Sequence, residues 1–111
     1  HDMQSVISNI KLIVGDTPVL LSIDMDALDP VYAPGVGLPE IGGLTSMWML
    51  ECLEALWDLN FVSMDVVEIC PQYDNANVTS LAAATFIWLY LSMVICKNEV
   101  LQQNLENNNK E

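Results

Sequence analysis

Arginine is absent from this sequence of 111 residues, lysine occurs three times, and the one histidine, His1, stands at the first position. A nucleic-acid partner is excluded, because phosphate recognition needs clustered Lys and Arg. Cysteine is scarce as well. Cys52, Cys70 and Cys96 are odd in number and have no CxxC spacing, and only His1 is at hand to complete a metal cluster. Neither a disulfide framework nor a zinc site is expected. The first dozen residues contain Asp2 and Lys11 and no uninterrupted apolar run followed by small residues. No signal peptide is expected, and the expected location is intracellular and reducing, cytoplasmic or mitochondrial.

Acidic residues are plentiful: fifteen of them give a formal net charge of −12. Hydrophobic residues make up 52 % of the chain and charged ones only 16 %. A chain of this length forms one domain at most and buries roughly two-thirds of its unfolded surface. Too few charged side chains remain to coat so apolar a body, so a large apolar face is expected to be covered by something outside this sequence.

Val6, Ile7, Ile10 and Val14 recur at helical spacing and end at Gly15, which predicts a short amphipathic helix over residues 3–14. The run VLLSI, residues 19–23, reads as a strand buried on both faces of a parallel sheet and ends in Asp24, Asp26 and Asp29. Three prolines and four glycines between Pro30 and Gly43 mark an ordered loop. Thr45 has the chemistry of an N-cap for a helix over 46–56, with Glu51, Glu54 and Asp58 on one face and Met47, Leu50, Leu53 and Trp57 on another. A second strand is expected over 61–70, with Glu68 near its C-terminal end. The uncharged stretch 78–96 is long enough to span a bilayer, but four Ser and Thr residues, an Ala-Ala-Ala run and the lack of basic flanks favour a core helix. Residues 98–111 are polar and asparagine-rich and are expected to be disordered, leaving 1–97 as the folded part. The alternation of elements predicts α/β layering around a parallel sheet.

In an extended backbone, side chains at i and i+2 project to the same side, so Asp24 and Asp26 can reach one centre at a strand end. Ligands of open parallel sheets bind outside the carboxyl ends of the strands, where Glu68 also falls. Clustered carboxylates repel one another unless a cation neutralises them, and manganese or magnesium suits oxygen donors. The alternative is that these aspartates simply solvate and cap a turn.

The longer string SIDMDALDPVYAPGVGLPEIGGLT, residues 22–45, resembles a signature of the ureohydrolase family, the arginases and agmatinases. Ser22, Asp24, Asp26, Asp29, Pro30, Pro34, Gly35, Gly42 and Gly43 fall in register with it. The resemblance continues through MDVVEICPQYD (64–74) and LAAAT (81–85), covers about residues 14–96, and is closer to the agmatinase branch. It implies a three-layer α/β/α fold of which this is the C-terminal part. It also implies a hydrolase that uses two manganese ions to release urea from a small guanidino compound such as agmatine, a step in polyamine biosynthesis, and that assembles as a trimer or hexamer without a membrane. In such enzymes the residues matching Asp24 and Asp26 are metal ligands and the one matching Glu68 holds the substrate guanidinium. Asp29 is expected to form a turn or support the site, and Asp65, of opposite strand parity to Glu68, to be structural.

Two departures stand out. Val36 and Leu38 replace threonines usual in the family, the second of which lies beside the guanidinium. The GDHS-like and DAHxD-like motifs that carry the remaining ligands do not occur. The chain therefore reads as a fragment or truncated relative, inactive in isolation; the alternatives are an interaction protein that keeps the half-sheet and a single-span membrane protein.

Overall fold

A computed structural model describes residues 2–109. Helix α1 (Met3–Val14) ends where Gly15, at φ 55°, donates its N–H to the Lys11 carbonyl at 2.9 Å. Strand β1 (Val19–Asp24), helix α2 (Ser46–Ala55) and strand β2 (Phe61–Val67) follow, and the long helix α3 (Val78–Asn108) closes the chain. Thr45 caps α2 as its chemistry suggests: its hydroxyl accepts from Trp48 N–H at 3.0 Å. Replacing such a cap with Ala costs about 1 kcal/mol.

The two strands pair in parallel, and α2 lies between them in sequence, so β1, α2 and β2 form one βαβ unit. Val19 pairs with Phe61 but Leu20 pairs with Ser63, so Val62 is an extra, unpaired residue in β2. From there the register is regular to Asp24 opposite Val67. The inward residues Leu21, Ile23, Met64 and Val66 meet Leu53 of α2 and Ala83, Phe86 and Met93 of α3 in the main core. Phe61 meets Tyr90 of α3 edge-to-face, with ring centroids 5.7 Å apart. Ile7 of α1 joins Cys52, Leu56 and Leu59 in a smaller cluster. Lys11 ties α1 to Asp58 at 2.8 Å and holds that carboxyl below the usual range.

Three expectations are corrected here. The first strand is not buried on both faces: Leu20, Ser22 and Asp24 are exposed, as are Val62, Ser63, Asp65 and Val67 across from them. Among the described residues only one layer of helices covers the sheet, so the apolar composition of VLLSI exceeds what this part of the fold buries. The second strand is also shorter than expected at its carboxyl end, β2 stopping at Val67, whereas β1 runs one residue past the expected VLLSI to Asp24. Finally, the polar stretch from residue 98 is helical through Asn108. Its Gln and Glu residues are good helix formers, and Leu101 and Leu105 continue the apolar spacing of α3, so helix already nucleated on the core propagates through it. The last two residues of the tail lie outside the described residues.

The loop from Pro30 to Gly43 is held by a bridge between Leu28 and Leu44. Leu44 N–H donates to Ala27 O and Asp29 N–H to Leu44 O, each at 2.9 Å. Gly43 sits inside this bridge. A Cβ there would lie 2.7 Å from the Asp29 nitrogen and 2.8 Å from the Ala27 oxygen, both backbone atoms that cannot rotate away. Gly43→Ala should therefore lower stability by about 1–3 kcal/mol, read as a drop in the urea unfolding midpoint; an unchanged midpoint would show that the loop is free to open.

Candidate active site

The carboxyl ends of β1 and β2 bring Asp24, Asp26 and Glu68 to one end of the sheet, since Asp24 pairs with Val67, the neighbour of Glu68. How Asp24 and Asp26 meet differs from the extended-strand expectation. The backbone turns into a single 3₁₀ turn over Met25–Ala27, and Asp24 is its N-cap, with Oδ1 accepting from Asp26 N–H at 2.9 Å. The turn forms because Met25 is fully buried, as is Leu28, and drags the chain back into the core. Asp24 stays exposed while Asp26 is half-buried. Oδ1 of Asp26 is buried and has no hydrogen-bond partner.

An orphaned, buried carboxylate oxygen is costly unless something charged or protic meets it. Set beside the second oxygen-rich side chain of Asp24, it fits part of a site for a hard divalent cation. Two side chains do not close such a site. Among the described residues no group of three or more His, Cys, Asp or Glu side chains could hold a metal ion, and His1 lies outside the described residues.

Glu68 is exposed and adopts φ 64°, the left-handed region. A glutamate there is strained by about 1–2 kcal/mol, a cost found chiefly where function fixes a side chain. Strand parity does not reach it, because β2 has already ended. Asp65 lies on the open face and accepts from Ser22 Oγ at 2.5 Å, linking the two strands. Asp29 braces the loop: Oδ1 accepts from Val31 N–H at 2.9 Å and Oδ2 from Gly42 N–H at 2.8 Å, and these bonds hold its carboxyl below its ordinary value. Of the two departures from threonine, Val36 is buried in the main core and Leu38 is exposed.

One residue that sequence reasoning missed is Asp74. Its carboxylate accepts from the N–H groups of Asn75, Thr79 and Ser80 at 2.9 to 3.2 Å and so caps the start of α3. Thr79 is fully buried and its hydroxyl accepts from Gly35 N–H at 2.7 Å, while Cys70 N–H donates to Gly35 O at 2.7 Å. A Cβ on Gly35 would lie 2.6 Å from Asp74 Cβ. The strap bearing Glu68, the loop and the head of α3 are thus clamped at Gly35. The signal was present as an acid four residues before the apolar helix, but its reach past Asn77 is a matter of loop geometry. Desolvation pushes the Asp74 carboxyl up, yet the hydrogen bonds from Thr79, Ser80 and Asn75 outweigh it and hold it below its ordinary value.

A depressed folded-state pKa contributes stability that is present above the unfolded value and lost as pH falls through the folded one. Unfolding midpoints should therefore be flat near neutrality and decline below about pH 4, the ordinary carboxylate range. Asp74→Asn should be less stable at neutral pH and show a shallower acid decline; parallel pH profiles for the two proteins would mean that Asp74 is not a source of the acid sensitivity.

A parallel βαβ sheet with carboxylates gathered at its strand ends defines an α/β protein of the kind that binds ligands beyond the carboxyl edge. The Arginase family profile matches residues 1–92, and the chain belongs to that family of ureohydrolases. It is 54 % identical over 85 residues to an agmatinase of Escherichia coli, covering 77 % of this chain and 28 % of that protein. An agmatinase of Cronobacter sakazakii is 53 % identical over 83 residues. The crystal structure of a hypothetical agmatinase from Burkholderia thailandensis superposes with a TM-score of 0.84 at 36 % identity, covering 89 % of this chain and 31 % of that one. Arginase from Bacillus caldovelox superposes with a TM-score of 0.69 at 34 % identity, covering 79 % and 30 %. The chain spans under a third of the length of these relatives.

Proposed function

We propose that this chain is the carboxyl-terminal part of a manganese-dependent, agmatinase-like ureohydrolase that converts a guanidino compound such as agmatine to an amine and urea. The observation that carries the reading is Asp26 Oδ1, buried and unpartnered beside Asp24 at the end of β1. Asp24 and Asp26 would hold the ions, and divalent manganese bound there supplies a nucleophile near neutral pH by lowering the pKa of water. Glu68 binds and orients the substrate, pairing with a planar guanidinium through charge-assisted hydrogen bonds. Asp29, Asp74 and Thr79 keep the loop and the Glu68 strap in place. The remaining ligands belong to sequence that precedes this part in the relatives, and the complete enzyme is a homo-oligomer, trimer or hexamer.

The experiment is a chimera. Residues 14–96 replace the matching segment of the Escherichia coli agmatinase, and urea release from agmatine is measured. Activity of the chimera supports the reading. A folded chimera that retains manganese and is inert on agmatine and on other guanidino compounds overturns it.

The isolated chain should bind manganese weakly, because two donors cannot offset the dehydration of a divalent ion. Calorimetric titration that yields two tight sites per chain would contradict this. A second reading, a non-catalytic interaction protein, draws on the open sheet face, where Leu20 and Val62 are 60 % and 62 % exposed. By length and composition α3 could cross a membrane. Its Phe86, Tyr90 and Met93 are buried against the sheet, however, and insertion would strip them from the core.

A further inference from the structure

Among the described residues Thr79 is the one fully buried polar side chain. Its hydroxyl does not serve its own helix. Thr85 and Ser92, further along α3, donate to the carbonyls four residues back, Leu81 O and Trp88 O, each at 2.8 Å, which is the ordinary habit of a hydroxyl inside a helix. Thr79 Oγ1 instead accepts from Gly35 N–H at 2.7 Å, 44 residues away in sequence, and donates to the Asp74 carboxylate. Donation to a carboxylate makes the hydroxyl oxygen a stronger acceptor, so the bonds reinforce one another in series. A helix cap alone would not need this hydroxyl, because Asp74 already takes the Thr79 and Ser80 N–H groups.

The series of bonds reaches Glu68. Gly35 O accepts from Cys70 N–H at 2.7 Å, two residues beyond Glu68, and on the other side Val67 is held by its pairing with Asp24. Glu68 and Ile69 therefore bridge two fixed points, and Ile69 packs on the main core. So short a span leaves the backbone little choice, and the strained φ of 64° at Glu68 is what closes it. Ala33 and Val36, both buried, bring the loop to this place. Apolar contact has no direction, whereas Thr79 and Cys70 fix the peptides on either side of Gly35.

We infer that Thr79 is a positioning residue for Glu68: acting through Gly35 and Cys70, its hydroxyl holds the Glu68 backbone in the left-handed conformation that presents the carboxylate to a substrate guanidinium. The guanidinium half of this rests on the catalytic reading above, and the backbone half does not. Asp24 and Asp26 belong to the end of β1 and lie outside the series, so metal binding is not what Thr79 controls.

Two measurements test it. In nuclear magnetic resonance spectra of the whole chain, the Glu68 amide should give the strong intraresidue cross-peak to its α-proton that a positive φ produces. Thr79→Val, which keeps the shape and deletes the hydroxyl, should lose that signal, and Thr79→Ser, which keeps the hydroxyl and deletes a buried methyl, should retain it. In the agmatinase chimera Thr79→Val should raise KM for agmatine about tenfold or more, with kcat changed less and manganese per subunit at the parent level, because Glu68 grips the guanidinium in ground and transition state alike. Thr79→Ser should restore the parent KM. On a Glu68→Gln background Thr79→Val should add nothing, since it acts through the carboxylate already lost. Thr85→Val, whose hydroxyl serves only its own helix, should leave both readouts unchanged.

A wild-type chain without the Glu68 signal, an unaltered signal or KM in Thr79→Val, a serine variant as impaired as the valine one, or a further loss on the Glu68→Gln background overturns the proposal. If Thr79→Val does not fold, Asp74→Asn, which weakens the acceptor behind the hydroxyl, carries the test with the same signs. An inert parent chimera, or a Glu68→Gln chimera with the parent KM, overturns the catalytic reading instead, and the Glu68 signal then decides the role of Thr79.

Discussion

Glu68→Gln, placed in the agmatinase chimera, should lose about 2–5 kcal/mol of transition-state stabilisation while manganese per subunit stays at the parent level. Glutamine keeps the shape of the side chain and removes the charge that a guanidinium needs. The carboxylate follows β2, not β1, and adopts φ 64° just after the residue paired with Asp24, so it stands at the same end of the sheet as the Met25–Ala27 turn without belonging to it. Asp26→Asn should behave in the opposite sense, losing manganese first and urea release with it, because it weakens the donor set at the buried Oδ1. Glu68→Gly separates function from fold further. Glycine adopts a positive φ at little cost, so this variant should gain roughly 0.5–1 kcal/mol in stability and be as inactive as the glutamine variant. If Glu68→Gln sheds manganese as Asp26→Asn does, or turns over agmatine at the parent rate, Glu68 does not bind substrate.

Phe86→Ala should cost about 3–5 kcal/mol, enough to unfold a chain whose core is this small. Phe86 is 1 % exposed, the largest of the fully buried side chains, and it joins α3 to Ile23, Met25 and Leu53 in one cluster. Thr85→Ala, one residue away on the exposed side, removes only a hydroxyl bonded to the Leu81 carbonyl within the helix and should change stability by no more than about 0.5 kcal/mol. Urea midpoints of the two variants measure the contrast. Equal midpoints would mean that α3 does not pack on the sheet through this face, and the bilayer reading of residues 78–96 would regain its ground.

The amphipathic pattern of α1 and the cap at Thr45 were legible because each depends on residues within one or two turns. The motif between Ser22 and Thr45 was legible for a related reason: a tight loop fixes its prolines and glycines at set offsets, and at Gly43 and Gly35 the structure has no room for a Cβ. The end of β1 was not. A period of two predicts that Asp24 and Asp26 point the same way, but nothing local announces that the burial of Met25 and Leu28 folds the chain into a 3₁₀ turn. The tail misled for a similar reason, since polar composition argues against a core of its own but not against extending a helix that the core has already nucleated.

By itself the sequence determined the helices as far as residue 96, the presence of the two strands, the loop and the carboxylates, because propensity, capping and apolar periodicity act over a few residues. Only the tertiary structure decided how those carboxylates are placed. It left Asp26 Oδ1 buried without a partner, turned Glu68 into the left-handed region, and clamped Gly35 between Cys70, Asp74 and Thr79. Each of these depends on residues brought together by strand pairing and helix packing from distant parts of the chain, where no local propensity reaches.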